Sequence, residues 1–326
     1  MSLFSLAIGA FLLIGCTQTV KIGFLMDESE TGRWVKDKQI FTRNIEELGG
    51  EVVFSAAEKD YEKQYEMAKE MLDAGIDVLV VVPTDMNEAA KIVMMAHKKG
   101  IRVVSYDRLI KNCGLDYYVS FDHVHVGELQ ANYLTTACPS GNYAILGGAI
   151  NDNNSFLLRL GQLNVLQPIV DRGDIKVVYD NYASEWSEEE GYRLMKACLN
   201  KTKDIQAVLA ASDRLAAGAI KAINEVGIDS DICIAGMDAD LEACQRILAG
   251  TQSMTVYKPI EAIAVKAAEV AMQIATEDDA PNMNLSVNNG FKQVPAVLLP
   301  AMVVSKETID LTVVADGYLE ENNIRQ

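Results

Sequence analysis

Histidine is scarce in this chain of 326 residues, with three beside two tryptophans and seven prolines. His97, His123 and His125 have no carboxylate cluster at ligand spacing, so no metal site and no cofactor are expected. Basic charge is also short. Lys and Arg total 29 against 46 Asp and Glu, a net charge of -17, and the acids are spread along the chain. A field of that sign repels nucleic acid and anionic substrates and suits a neutral solute. Nucleotide loops are missing: Gly147-Gly148 lacks GxGxxG spacing, and no GxxxxGK[ST] occurs. There is no GxSxG elbow, and no histidine pairs with a nucleophile. His97 reads as a helix-surface residue, and His123 and His125, following Asp122, as capping or lobe-surface residues. Asp238 and Asp240 are the pair one would test as glycosidase carboxylates. Their spacing in sequence says nothing of their separation across a cleft. No catalytic residue is expected.

Long apolar runs are absent too. Residues 3–15 are almost entirely apolar, but fall short of the roughly 20 residues of a spanning helix. The run has the length of a signal-peptide core. Leu13-Ile14-Gly15-Cys16 resembles a bacterial lipoprotein processing box, which makes Cys16 the expected lipidation site and Thr17-Gln18-Thr19 a short tether. The basic region that opens such signals does not appear in the sequence as given. The protein is therefore expected in the periplasm or on the outer face of the cytoplasmic membrane, held by a lipid. With Cys16 set aside, five cysteines remain, an odd number without CxxC spacing. Cys198 and Cys244 lie in apolar helical patterns and Cys233 in a strand-like run, which reads as buried thiols acting as small hydrophobes.

What is present is a rhythm. Short β-branched runs at Val20–Leu25, Glu51–Ser55, Asp77–Val82 and Arg102–Tyr106 alternate with amphipathic runs at Trp34–Leu48, Tyr61–Ala74 and Met86–Lys99. After a break at about 112–124, strands are expected at Tyr143–Leu146, Ile175–Tyr179, Ala207–Ala210, Ile232–Ala235 and Ser253–Val256. Helices are expected near 125–137, 155–167, 187–200, 214–226, 239–249 and 260–276. Repeated βα units with apolar strands imply parallel sheets covered by helices on both faces. Two blocks imply an α/β protein of two doubly wound lobes, with a (β/α)8 barrel as the fold-level rival.

Open α/β sheets bind ligands beyond the C-terminal ends of their strands, and five polar groups stand there. They are Asp27 with Gly32-Arg33-Trp34-Val35-Lys36-Asp37, Ser105-Tyr106-Asp107-Arg108, Asp152-Asn153-Asn154, Ser212-Asp213, and Gly236-Met237-Asp238-Ala239-Asp240. Carboxylates, amides and guanidinium groups can share a ring of hydroxyls that both donate and accept. Trp34 and Trp186 offer flat apolar faces for ring C–H groups. Asp213 and Asp238 have helix N-capping as their ordinary alternative.

The most distinctive stretches are Arg33-Trp34-Val35-Lys36-Asp37, Val126-Gly127-Glu128-Leu129-Gln130-Ala131, Asp238-Ala239-Asp240-Leu241 and Gly250 to Pro259. By these the chain resembles the type I periplasmic sugar-binding proteins, in particular the D-xylose-binding members that serve bacterial ABC transporters. The resemblance implies two lobes joined by three hinge crossovers, near 122–125, 255–258 and 286–290. The first lobe would hold 20–123 plus 257–287, the second 124–256 plus 288–326, with 1–19 as signal and tether. It also implies a pocket from Arg33, Trp34 and Arg108 of the first lobe and Asp152, Asn154, Trp186, Ser212, Asp213 and Asp238 of the second, with Lys258 at a crossover. The implied ligand is a monosaccharide, D-xylose or a related aldose. The implied partners are a permease and its ATPase or, alternatively, a sensor histidine kinase ectodomain, with the receptor itself a monomer. A sugar-processing enzyme is the rival of another class. One departure stands out: a D-xylose-binding member of the family carries Ser-Asn-Asp where this chain has Ala211-Ser212-Asp213, so a shorter hydroxyl replaces an amide. Met237 likewise stands where that same member has glutamine.

Overall fold

The computed structural model describes residues 19–30, 32–228, 231–277, 281, 283 and 285–325. The expected signal segment and Cys16 lie outside them. The first lobe opens with β1 (Lys21–Met26), α1 (Trp34–Glu47), β2 (Glu51–Ala56), α2 (Tyr61–Asp73), β3 (Val78–Val81), α3 (Ala90–Lys98), β4 (Arg102–Tyr106) and β5 (Tyr117–Phe121). The second follows with α4 (His123–Ala137), β6 (Gly141–Ala149), α5 (Asn153–Arg172), β7 (Ile175–Ala183), α6 (Glu188–Lys201), β8 (Ala207–Ala210), α7 (Asp213–Val226), β9 (Cys233–Ala235), α8 (Leu241–Ala249) and β10 (Thr255–Tyr257). The chain ends with α9 (Ile260–Thr276), β11 (Leu285–Asn288), β12 (Gln293–Leu299), β13 (Met302–Val304) and α10 (Glu321–Ile324).

Side-chain alternation places the first sheet between two helical layers. Phe24, Val78 and Val80 face α1 and α9, where Phe41, Ile45, Ala264 and Ala267 are buried. Leu25, Leu79 and Val81 face α2 and α3, meeting Ala68, Leu72, Ile92 and Ala96. The Phe24 ring lies 4.2 Å from that of Phe41. The second lobe has its main core around β6 and β8 and a smaller cluster around Ala239, Cys244, Tyr257 and Val304.

The strand order is β11-β12-β5-β4-β3-β1-β2 in the first sheet and β7-β6-β8-β9 in the second. Both wind as 2-1-3-4, so the order reverses between β1 and β3 and again between β6 and β8. Ligand crevices form at such switch points. Two open sheets exclude the barrel.

Two expectations are corrected. The break at 112–124 contains β5, whose run Tyr117-Tyr118-Val119-Ser120-Phe121 is buried throughout. The chain first passes between the lobes at Asp122 and again at Lys258-Pro259. The third crossing does not fall at 286–290. Asn288-Asn289-Gly290 instead turns a hairpin: Asn289 Oδ1 accepts the N–H groups of Phe291 and Lys292, both at 3.0 Å, and Gly290 adopts φ 93°. β12 then pairs parallel with β5, and the chain crosses between Leu299 and Met302, where β13 joins β10. Residues 288–299 thus belong to the first lobe's sheet.

Candidate functional site

The C-terminal strand ends of both sheets face one another across a cleft, and a cavity lies between them. It is lined by Glu28, Gly32, Arg33, Trp34, Asp107, Arg108, Asp152, Asn154, Trp186, Ser212, Arg214, Met237, Asp238, Asp240 and Lys258. Its volume of about 70 Å³ admits roughly five to seven waters at 10–15 Å³ each, the scale of one small ligand.

Arg33 stands just before α1. Its Nε and Nη2 hold both oxygens of Asp37 at 3.0 Å, and its Nη1 reaches Asp107 Oδ2 at 2.9 Å. Tyr106 donates its hydroxyl to the same Asp37. This scaffold fixes the guanidinium so that little rotamer freedom remains to be lost on binding. Asp107 follows β4 with φ 60°, a left-handed conformation that short polar side chains tolerate best. Burial pushes its carboxyl up, but Arg33 and Lys258 outweigh burial and hold it well below the usual carboxylate range.

Arg108 joins the lobes. Its Nη1 donates to Asp27 Oδ2 at 2.7 Å, and its Nε lies 3.0 Å from Asp152 Oδ2 on the opposite lobe. Burial alone would lower its basicity, but Asp27 and Asp152 raise it above the ordinary arginine value. The Trp34 ring lies beneath both guanidiniums, 5.0 Å from Arg33 Cζ and 5.5 Å from Arg108 Cζ. Such stacking holds the ring as one wall of the cavity.

In the second lobe Asp152 N-caps α5, accepting from Asn154 N at 2.9 Å. Its other oxygen accepts from Trp186 Nε1 at 3.2 Å. Burial raises its pKa, with Arg108 opposing. Asn154 donates across the cleft to Asp107 Oδ1 at 3.2 Å, while its Oδ1 is buried with no partner among the described residues. Trp186 presses on Gly148, where a Cβ would lie 2.0 Å from the indole. The glycine after β6's apolar run is what admits the ring.

Asp238 has φ 101°, an unfavourable conformation for a non-glycine residue. Its N–H donates to Val256 O at 2.8 Å, and its Oδ1 lies 3.0 Å from Lys258 Nζ. Asp240 beside it is pushed up to about 6 by burial and by Asp238.

Nine of the ten expected binding residues line this cavity. Asp213 does not. It is buried behind the wall, accepting from Gln252 Nε2 at 2.8 Å, Thr255 Oγ1 at 2.9 Å and Asp240 N at 3.0 Å. Gly236 makes that approach possible, since a Cβ there would lie 2.0 Å from Asp213 Oδ1. Neither Asp213 nor Asp238 caps a helix: Ser212 Oγ caps α7 through Leu215 N at 3.3 Å. Glu28 and Arg214 are missed by sequence reasoning. They sit 3.9 Å apart on opposite lobes, and only a long-range approach reveals them.

The histidines behave largely as read. His97 pairs with Asp116 at 2.8 Å on the surface, and the N–H of His125 meets the cap Asp122 at 3.1 Å. His123, however, is buried at the first crossing, and its Nδ1 lies 3.1 Å from Phe121 O. Burial, and then Lys258, lower its pKa to about 4. Among the described residues no His, Cys, Asp and Glu group forms a metal site.

Two lobes with matched polar crevices, charged hydrogen-bonding groups and two aromatic walls define a bilobal solute receptor. A family model described as a periplasmic binding protein domain matches residues 22–279. The D-xylose-binding periplasmic protein of Haemophilus influenzae is 41% identical over 94% of this chain and 93% of its own length. That of Escherichia coli is 41% identical over 94% and 92%. A solute-binding protein of an ABC transporter from Clostridium phytofermentans, solved with β-D-glucose bound, superimposes with a TM-score of 0.87 at 27% identity, covering 93% of this chain and 99% of its own. The chain belongs to the type I periplasmic sugar-binding protein family, and is closely related to its D-xylose-binding members. It is an extracytoplasmic sugar-binding protein of the ABC-transporter type.

Proposed function

We propose that the cavity takes a single aldopyranose, D-xylose or a close relative, and that the closed form presents it to an ABC permease. The observation that carries this reading is the polar chain Arg33–Asp107–Asn154 and Arg108–Asp152, which crosses the cleft twice beside Trp34 and Trp186. Guanidiniums and Lys258 donate to sugar oxygens; Asn154 Oδ1 and the carboxylates accept from sugar hydroxyls. Each lobe contributes to both functions, so a bound sugar favours the closed population. Strain at Asp238 supports the same reading, because an unfavourable φ beside a cavity is retained where it aims a side chain. Ser212 Oγ is engaged as a cap, so this corner offers the ligand less hydrogen bonding than an asparagine would. Titration calorimetry against xylose, glucose, galactose, ribose and rhamnose tests the reading. Xylose bound at high micromolar affinity or weaker, beside another sugar bound below a few micromolar, overturns the choice of ligand. We further propose Cys16 as a lipidated tether, for which Cys16→Ala should abolish acyl labelling.

A further inference from the structure

The fold brings together two thiols that lie far apart in sequence and away from the sugar cavity. Cys138 ends α4 and Cys233 opens β9. One backbone carbonyl holds both: Gln206 O accepts the Cys138 thiol at 3.5 Å and the Cys233 N–H at 2.9 Å. The Cys233 side chain also lies close enough to act on the ionisation of the Cys138 thiol. Both are only partly buried, whereas Cys113, Cys198 and Cys244 are buried and well separated along the fold. Tyr143 fixes the Cys138 end by donating its hydroxyl to Cys138 O at 2.6 Å.

We propose that Cys138 and Cys233 form an intramolecular disulfide in the exported protein. An extracytoplasmic compartment is the setting in which such bonds form and persist. The step balances with a small disulfide such as oxidised glutathione as oxidant. One protein thiolate attacks it, releasing one glutathione thiol and leaving a mixed disulfide. The second protein thiolate then displaces the second glutathione, so two thiols lose two protons and two electrons as S–S forms. Burial, with the neighbouring Cys233 sulfur adding to it, pushes the Cys138 thiol up to about 11. Thiolate is the reacting form, so a thiol held up in this way reacts slowly in the folded reduced protein and the bond forms during oxidative folding. It would tie the helix that leaves the first crossing to the edge strand whose following loop carries Asp238 and Asp240.

The test is peptide mapping by mass spectrometry of the full chain, refolded in a reduced and oxidised glutathione buffer and alkylated under denaturing, non-reducing conditions. The expected result is one peptide pair joined through Cys138 and Cys233, lighter by two hydrogens, with Cys113, Cys198 and Cys244 alkylated. Reduction should then lower the melting temperature by about 5–15 °C, a shift that Cys138→Ser and Cys233→Ser should not show. Alkylation of both Cys138 and Cys233 in the refolded parent overturns the proposal, as does a linkage to any other cysteine or between two chains. Mapping the parent keeps the outcome decisive should either variant fail to fold.

Discussion

Arg108 and Asp238 are the residues on which the sugar reading stands or falls. Each carries a charge at the cleft, and removing one partner of a desolvated charged hydrogen bond costs about 2–5 kcal/mol. Arg108→Ala and Asp238→Ala should each weaken sugar affinity by about thirtyfold or more, measured by calorimetry. Full binding in both variants would place the sugar elsewhere. Ser212→Asn keeps a good N-cap on α7 while adding an amide beside the cavity. Xylose affinity should hold or rise, and a bulkier aldose should bind less well, in the same titrations.

Two further side chains should oppose each other in pH dependence. His123 has its pKa lowered to about 4, below the unfolded value of about 6.5. Its contribution is therefore present above about 6.5 and lost as pH falls toward 4, on the order of 3 kcal/mol in all. Asp240 is raised to about 6, so its contribution is present below about 4 and lost as pH rises through 6. Urea unfolding from pH 4 to 7 should show His123→Gln flattening the fall on the acid side. Asp240→Asn should raise stability at pH 7. An unchanged slope in both variants would refute the assignment.

At the scale of elements, helix pairs in the second lobe meet through glycine. A Cβ on Gly127 would lie 2.0 Å from Leu158 O, and one on Gly161 would lie 1.9 Å from Val124 O, so α4 and α5 touch backbone to backbone. Overpacking normally costs about 1–3 kcal/mol, and here the obstacle is main chain that cannot rotate away. Gly161→Val should destabilise the protein by at least about 2 kcal/mol in chemical denaturation, with sugar affinity of the folded fraction little changed. Gly148→Ala should do the reverse, displacing Trp186 and weakening sugar binding more than stability. The elements themselves were largely legible. Short apolar runs gave β4 and β8 at their observed bounds, and the helix starts at Trp34, Tyr61 and Ile260 agree with the sequence pattern. β5 escaped because its tyrosines and serine break the β-branched pattern, and its place between β4 and β12 puts its side chains into the cores on both faces of the sheet.

At the scale of the whole molecule, closure rests on contacts between lobes. Asn151 Nδ2 donates to Thr84 O at 2.8 Å, Lys36 Nζ to Tyr318 O at 2.6 Å, and Arg108 spans to Asp152. Lys36 lies at the hinge side, away from the cavity lining, and its Nζ also sits 4.2 Å over the Tyr318 ring. Lys36→Met should therefore weaken sugar affinity several-fold without touching the sugar, through a smaller closed population. Small-angle scattering should show a drop in radius of gyration on adding xylose to the parent, and a higher sugar concentration needed for the same drop in the variant. Equal titration curves for the two would remove Lys36 from the closing contacts.

The sequence by itself determined the βα rhythm and the two-lobed class, while its resemblance to the family pointed to the nine expected residues that line the cavity. It could do so because strand burial, helix periodicity and polar groups after strands are all local along the chain. Tertiary structure alone decided that Asp213 turns away into Gln252 and Thr255, and that Glu28 meets Arg214. It also decided that the last crossing comes after β12 and that Cys138 and Cys233 converge on the carbonyl of Gln206. Each of these depends on which segments become neighbours through sheet order and lobe closure, a long-range outcome that no local pattern of residues encodes.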